Sequence, residues 1–148
     1  MKIDGLGLRG GGAGLAWRET RVPGVSWIPL HLEEGTGLRA ATGGNGSAGR
    51  TRGGATVLIR MAPGRGYAPH RHLGAEDVLV LLGGYADERG TYRQGEHVHY
   101  PPGSVHAPRA LGDPDRAADE TNPPCILYST VPEGIELIEP QPEGASSP

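Results

Sequence analysis

The chain has 148 residues, enough to bury one modest hydrophobic core but too few for two domains of ordinary size. Its 26 glycines and 14 prolines interrupt any long helical pattern, which disfavours a helical protein. The formal net charge is −3 and the arginines are scattered, so nothing in the charge pattern favours a nucleic-acid partner.

The sequence contains no apolar run close to the roughly 18 residues that a membrane helix needs. Its first residues also lack the apolar segment of a secretory signal. We therefore expect a cytoplasmic protein that does not contact the membrane. The single cysteine, Cys125, precedes the apolar residues Ile126 and Leu127, and we interpret it as a small core residue rather than a redox or metal residue.

Apolar residues recur with period two or in short runs between turn residues, which is typical of strands. Trp17 belongs to an early pair with residues 25–30, and further strands are predicted at 56–61, 77–82, 96–100, 125–131 and 135–138. Many short strands without a helical period indicate a barrel or sandwich. We predict one all-β domain over residues 1–140.

Three segments lack the apolar residues needed for a core. Residues 33–54 are rich in Gly, Ser, Thr and Arg, and they form either a lid over a site or an insertion without a role. Residues 111–123 form a polar, acidic insertion. Residues 141–148 are predicted to be a disordered tail.

Candidate metal ligands begin with His70 and His72, on either side of Arg71. In an extended chain, residues i and i+2 point to the same face about 6.6 Å apart, so both imidazoles can converge on one ion. Arg71 then points away from that face. The spacing therefore favours a metal over two unrelated surface histidines.

Glu76 begins the next apolar strand, and alternation places Val78, Val80 and Leu82 on the same interior face. A buried carboxylate is costly unless it is paired or hydrogen-bonded, and an ion provides that partner. A Pro-Gly turn then leads the chain to His106. Three imidazoles and a carboxylate suit Fe(II), Mn(II), Ni(II), Co(II) or Zn(II), and ligand type alone does not choose among them.

These residues lie in two blocks that resemble the paired motifs of the cupin superfamily. The first block reads Gly64, five residues, His70, Arg71, His72, three residues, Glu76, six residues, Gly83. The second reads Gly95, five residues, Pro101, Pro102, Gly103, two residues, His106. Ala110 stands where the usual pattern ends in Asn, a position that is not a ligand. The resemblance implies a single-domain cupin, a double-stranded β-helix or jelly-roll barrel, holding one divalent metal ion through His70, His72, Glu76 and His106.

More narrowly, residues 23–108 resemble the ChrR-like cupins. That group includes the C-terminal domain of a zinc-binding anti-sigma factor, and it is similar to small cupins of the acetylacetone or dihydroxyacetophenone dioxygenase type. The resemblance implies a non-haem Fe(II) dioxygenase acting on a small ketone or diketone, with iron favoured over Zn, Mn, Ni or Co. The alternatives are a non-catalytic zinc-binding or ligand-sensing module and an isomerase or cyclase of a biosynthetic pathway. A homodimer is expected, formed through the edge strand near residues 17–30.

The remaining histidines and the tyrosines are less informative. His97 and His99 share one strand face, which is either solvent-exposed or part of the cavity mouth. His31 is interpreted as structural. Four tyrosines could place a phenol near the ion, but their strand faces are not fixed by the sequence: Tyr67, Tyr85, Tyr100 and Tyr128.

Overall fold

The structure is a computed structural model, and it describes residues 11–33 and 53–138. Most of the predicted loop at 33–54 and the whole predicted tail at 141–148 lie outside the described residues. At the ends of that loop, the backbone N–H of Glu33 donates to the carbonyl of Gly54 at 3.0 Å. Neither described stretch contains a helix capable of crossing a membrane.

The described residues form twelve β-strands. They are β1 Arg18–Glu19, β2 Val25–Leu32, β3 Ala55–Met61, β4 His70–His72, β5 Glu76–Leu82, β6 Gly84–Asp87, β7 Gly90–Arg93, β8 His97–Tyr100, β9 Val105–His106, β10 Arg109–Ala110, β11 Cys125–Val131 and β12 Ile135–Leu137. All the longer strands were predicted. The short strands β6, β7, β9 and β10 were not, because each has four residues or fewer and little apolar content.

The strands assemble into a jelly-roll-like β-sandwich. One sheet has six strands in the order β1-β2-β3-β11-β5-β8, and two smaller sheets have the orders β10-β6-β7 and β12-β4-β9. Each pairing is antiparallel, as between β5 and β11 or β4 and β9. This confirms the all-β jelly-roll prediction.

An apolar core fills the space between the sheets. Its buried members are Val25, Met61, Val78, Val80, Tyr85, Val98, Tyr100, Ala110, Cys125 and Leu127. Cys125 is 1% exposed, and burial raises the pKa of its thiol to about 12, which confirms its interpretation as a core residue.

Alternation along β5 correctly predicted that Val78 and Val80 are buried on the same side as Glu76. The prediction was wrong for Leu82, which is only half-buried. The pairing with β11 shifts register between Ile126 and Leu127, so one extra residue of β5 interrupts the alternation before Leu82.

The polar insertion at 111–123 is organised around Asn122, whose side chain is buried. Its Nδ2 donates to the carbonyl of Asp113 at 3.0 Å, and its Oδ1 accepts the backbone N–H of Asp113 at 2.9 Å. The insertion also packs Pro114 against Gly64, where a Cβ would lie 2.5 Å from Pro114 Cδ and where φ is +66°. The insertion therefore contacts the first motif block.

Replacing Asn122 with Ala should lower the free energy of unfolding by about 1–3 kcal/mol, because the Asp113 amide and carbonyl would lose their buried partner. Urea titration measures the change. Glu120→Ala is the control: this residue of the same insertion is exposed, so its loss should change stability by less than about 0.5 kcal/mol. Equal stability of both variants would contradict the role of Asn122.

Candidate metal centre

Four buried side chains converge between the sheets. His70 and His72 lie in β4, Glu76 begins β5, and His106 lies in β9, directly opposite His70 in the antiparallel pair. One nitrogen or oxygen atom from each lies within 4.8 Å of the others. All four residues are buried, and His72 is 0% exposed. The structure thus brings together all four residues predicted from the sequence.

The inward-facing atoms are close together. His70 Nε2 lies 3.1 Å from His72 Nε2 and 3.0 Å from His106 Nε2. Glu76 Oε2 lies 2.9 Å from His72 Nε2 and 3.8 Å from His106 Nε2. The other ring nitrogen of each imidazole, Nδ1, points away from this centre and has its own partner.

Two of these outer partners can accept a hydrogen bond but cannot donate one. His70 Nδ1 lies 2.9 Å from the carbonyl of Ala68, and His106 Nδ1 lies 2.9 Å from Oδ2 of Asp87. Each Nδ1 therefore carries the N–H, which leaves a lone pair on Nε2 of the neutral ring. Burial lowers the pKa of His70 to about 4 and also lowers that of His106, so the neutral forms prevail at neutral pH.

His72 has the same arrangement through a hydroxyl. Its Nδ1 lies 3.1 Å from Oγ of Ser104, and that hydroxyl donates its proton to the carbonyl of Pro101 at 2.6 Å. His72 Nδ1 must therefore donate to Ser104, and Nε2 again presents a lone pair. The lone pair of His70 Nε2 consequently faces those of His72 and His106, each about 3 Å away.

Glu76 completes the set of donor atoms. Its Oε1 accepts the hydroxyl proton of Ser129 at 2.5 Å, whereas its buried Oε2 accepts no hydrogen bond from the described residues. Burial raises the pKa of Glu76, but the neighbouring His72 and Ser129 side chains outweigh burial, and the pKa lies below its usual value. The carboxylate is therefore an anion.

Three inward lone pairs and an unpaired carboxylate oxygen repel one another unless a cation lies among them. Imidazole nitrogen with carboxylate oxygen is also the donor set of divalent transition metals. The residues therefore fit a metal ion, and His70, His72, Glu76 and His106 could bind one. The donor set does not identify the metal.

Sequence analysis missed Asp87, whose side chain is fully buried beside the cluster. Its Oδ2 accepts the hydroxyl proton of Tyr100 at 2.6 Å as well as the N–H of His106. The alternation of Tyr85 and Asp87 before a Gly turn was the available signal, because it places both side chains on one face of a short strand. The Tyr100 ring itself lies 4.3 Å from that of His106.

The other residues considered from the sequence lie outside the cluster. His97 and His99 are exposed and share Oδ1 of Asp77 at 2.9 and 3.0 Å, so of the two alternatives their strand face is the solvent-exposed one. His31 is exposed on β2. Arg71 points outward, with Nε 4.0 Å from Oε2 of Glu136.

Residues 47–115, which include the whole cluster, match the family described as the ChrR Cupin-like domain. The chain has the cupin fold. No curated protein sequence matches this cupin.

Several solved structures share the fold. A putative acetylacetone dioxygenase from Methylibium petroleiphilum PM1 is 13% identical with a TM-score of 0.61, over 86% of this cupin and 78% of that protein. An acetylacetone dioxygenase from Acinetobacter johnsonii is 15% identical with a TM-score of 0.57, over 83% and 69%. The anti-sigma factor ChrR of Rhodobacter sphaeroides, in complex with SigE, is 21% identical with a TM-score of 0.54. That match covers 79% of this cupin but only 48% of the ChrR chain, so the cupin spans about half of that protein's length. At these identities the likeness concerns the fold alone.

Replacing His70, His72 or His106 with Ala should abolish stoichiometric metal binding, because each change removes one of the inward nitrogen donors. Metal analysis after dialysis measures occupancy. Metal should raise the melting temperature of the unchanged protein but not that of the variants, since only the folded state presents the site. His31→Ala is the matched control and should bind normally. Full occupancy in a His72→Ala and His106→Ala double variant would contradict the assignment.

Proposed function

We propose that this cupin is a non-haem Fe(II) dioxygenase that acts on a small ketone or diketone. The observation that carries the proposal is the buried cluster of three imidazole nitrogens and one carboxylate oxygen, His70, His72, His106 and Glu76. The shared fold of the acetylacetone dioxygenases supports it. Bound Fe(II) would polarise a ketone oxygen and provide the redox chemistry that O₂ requires.

The residues of the chain itself would hold the metal ion, orient its ligands and shield it from solvent. Outer hydrogen bonds fix the imidazole rings, and the ionised Glu76 supplies negative charge. Val78 and Val80 are buried core residues on the strand that begins with Glu76, and such apolar surroundings favour a small, largely apolar substrate. Tyr67 lies edge-on to His70, with ring centroids 5.4 Å apart.

The arginines near the motifs do not favour a phosphorylated substrate. Arg71 lies beside Glu136, and Nη1 of Arg109 donates to the carbonyl of Gly64 at 3.1 Å. The guanidinium of Arg60 lies over the Trp17 ring, 5.9 Å from its centroid. A phosphate would require a cluster of such groups directed at the site.

A second candidate function is a non-catalytic zinc-binding or ligand-sensing module. The match of residues 47–115 to the ChrR Cupin-like family favours it. Glu76 also favours it. Its negative charge makes a bound ion less electrophilic than an ion held by neutral imidazoles alone. No particular contact favours the isomerase or cyclase alternative.

Protein purified without O₂ and loaded with Fe(II) should consume O₂ when β-diketones or hydroxyketones are added, and the zinc-loaded protein should not, because Zn(II) has no redox chemistry. An oxygen electrode and product analysis measure turnover. Fe(II) protein with the His106→Ala change is the control for iron free in solution. If no β-diketone or hydroxyketone causes O₂ uptake and the protein isolated from cells contains zinc, the dioxygenase proposal is wrong. The zinc-binding or ligand-sensing function would then take its place.

We also propose that the cupin is a homodimer, with a cytoplasmic location and no nucleic-acid partner as further predictions from the sequence. Strand β1 pairs with Trp27 and Ser26 of β2. Within residues 11–33 and 53–138, the rest of β2 pairs with β3 on one side alone, which leaves an edge for a second copy.

Light scattering at micromolar concentration should give the mass of a dimer. Leu30→Lys on β2 should shift the population toward monomer, because a lysine on an edge strand opposes pairing. Leu79→Lys is the control, since Leu79 is exposed on β5 within the sheet. A monomeric unchanged protein would remove the proposal.

A further inference from the structure

The turn that joins β6 to β7 places a buried carboxylate, that of Asp87, beside the four candidate metal ligands. Asp87 Oδ1 accepts the backbone N–H groups of Arg89 at 2.8 Å and Gly90 at 3.2 Å, which closes the turn. Its Oδ2 accepts the hydroxyl of Tyr100 and Nδ1–H of His106. One oxygen therefore holds the turn, and the other faces the cluster.

The hydrogen bonds around Asp87 run in one direction. Tyr100 has a single hydroxyl proton, which it donates to Asp87 at 2.6 Å. The hydroxyl of Tyr85, 2.6 Å from that of Tyr100, must then be the donor in their contact. Asp87 thus accepts a hydrogen bond from each of these neighbours and donates none. His106 must therefore carry its N–H on Nδ1.

The same turn holds the backbone next to His106. Oε2 of Glu88 accepts the N–H of Ala107 at 3.2 Å. The guanidinium of Arg89 lies over the ring of Tyr100, 5.3 Å from its centroid. Glu88 and Arg89 are exposed residues, whereas the Asp87 side chain is fully buried. Asp87 is therefore the member of the turn that contacts the cluster itself.

We propose that Asp87 is a positioning residue, which holds His106 in the Nδ1–H tautomer and thereby keeps Nε2 free to bind a metal. Asp87 also supplies a second carboxylate charge, so that with Glu76 it balances a divalent cation. The inference rests on the metal-binding part of the proposed function and not on the dioxygenase reaction.

Asp87→Asn separates this role from a purely structural one. The amide oxygen of Asn can still accept the N–H groups of Arg89 and Gly90, so the turn is retained. The amide NH₂ then faces His106 where the carboxylate oxygen was. Because NH₂ can only donate, Nδ1 of His106 becomes the acceptor and the proton moves to Nε2, the atom needed for the metal.

Nitrogen-15 NMR of the metal-free protein distinguishes the two imidazole tautomers directly. We expect His106 to be Nδ1–H in the unchanged protein and Nε2–H in Asp87→Asn. Competition with a chromophoric chelator should show Zn(II) affinity about 10–100-fold weaker in Asp87→Asn. Asp115→Asn is the matched control: the same chemical change at an exposed aspartate outside the cluster should leave the tautomer unchanged and the affinity within about twofold.

Each outcome is decisive. If His106 is Nε2–H in the unchanged metal-free protein, the proposal is overturned whether or not any variant folds. It is also overturned if Asp87→Asn keeps the Nδ1–H tautomer and binds Zn(II) as tightly as Asp115→Asn does. If His106 has the expected tautomer but the unchanged protein binds no metal, the positioning role stands and the proposed function fails.

Discussion

The mutual repulsion of four buried donor atoms is the constraint on which the site depends. His70 Nε2 lies about 3 Å from Nε2 of both His72 and His106, and Glu76 Oε2 lies 2.9 Å from His72 Nε2 and 3.8 Å from His106 Nε2. Removing such groups from water costs free energy that only a cation or a proton can offset. Burial lowers the pKa of His70 to about 4, so that ring is neutral at neutral pH. The four donor atoms therefore suit a divalent ion.

The fold overcomes this repulsion by fixing each side chain from outside. Antiparallel pairing of β4 and β9 sets His70 directly opposite His106, although the two residues lie 36 positions apart in the sequence. Ala68, Ser104, Asp87 and Ser129 each hold the outward atom of one cluster residue. Since these partners come from different strands and turns, the geometry of the cluster is a property of the assembled sandwich and not of any one segment.

The sequence predicted the cluster because its signals are local. Spacing i, i+2 places His70 and His72 on one face, and a carboxylate leading an apolar strand indicated that Glu76 is buried. Asp87 was missed because its role depends on tertiary pairing: it lies in a four-residue strand whose composition, Gly-Tyr-Ala-Asp, resembles a turn. The burial of Leu82 was wrongly predicted for a related reason. The register shift between β5 and β11 depends on the pairing of the two strands and cannot be read from the sequence of β5 alone.

The charge of the cluster also bears on which substrate the proposed enzyme would accept. The side chains of Glu76 and Asp87 are both buried, and in each case neighbouring side chains outweigh burial and keep the pKa below its usual value. Two carboxylates compensate a divalent ion, so a substrate that arrived as an anion would add an uncompensated charge in a region of low dielectric constant. The arginines that could offset it, Arg71 and Arg109, lie beside Glu136 and the Gly64 carbonyl instead. A neutral ketone enters without that cost, because its oxygen carries only a partial charge. Charge balance and the apolar side chains of β5 therefore favour the same class of substrate for the proposed enzyme.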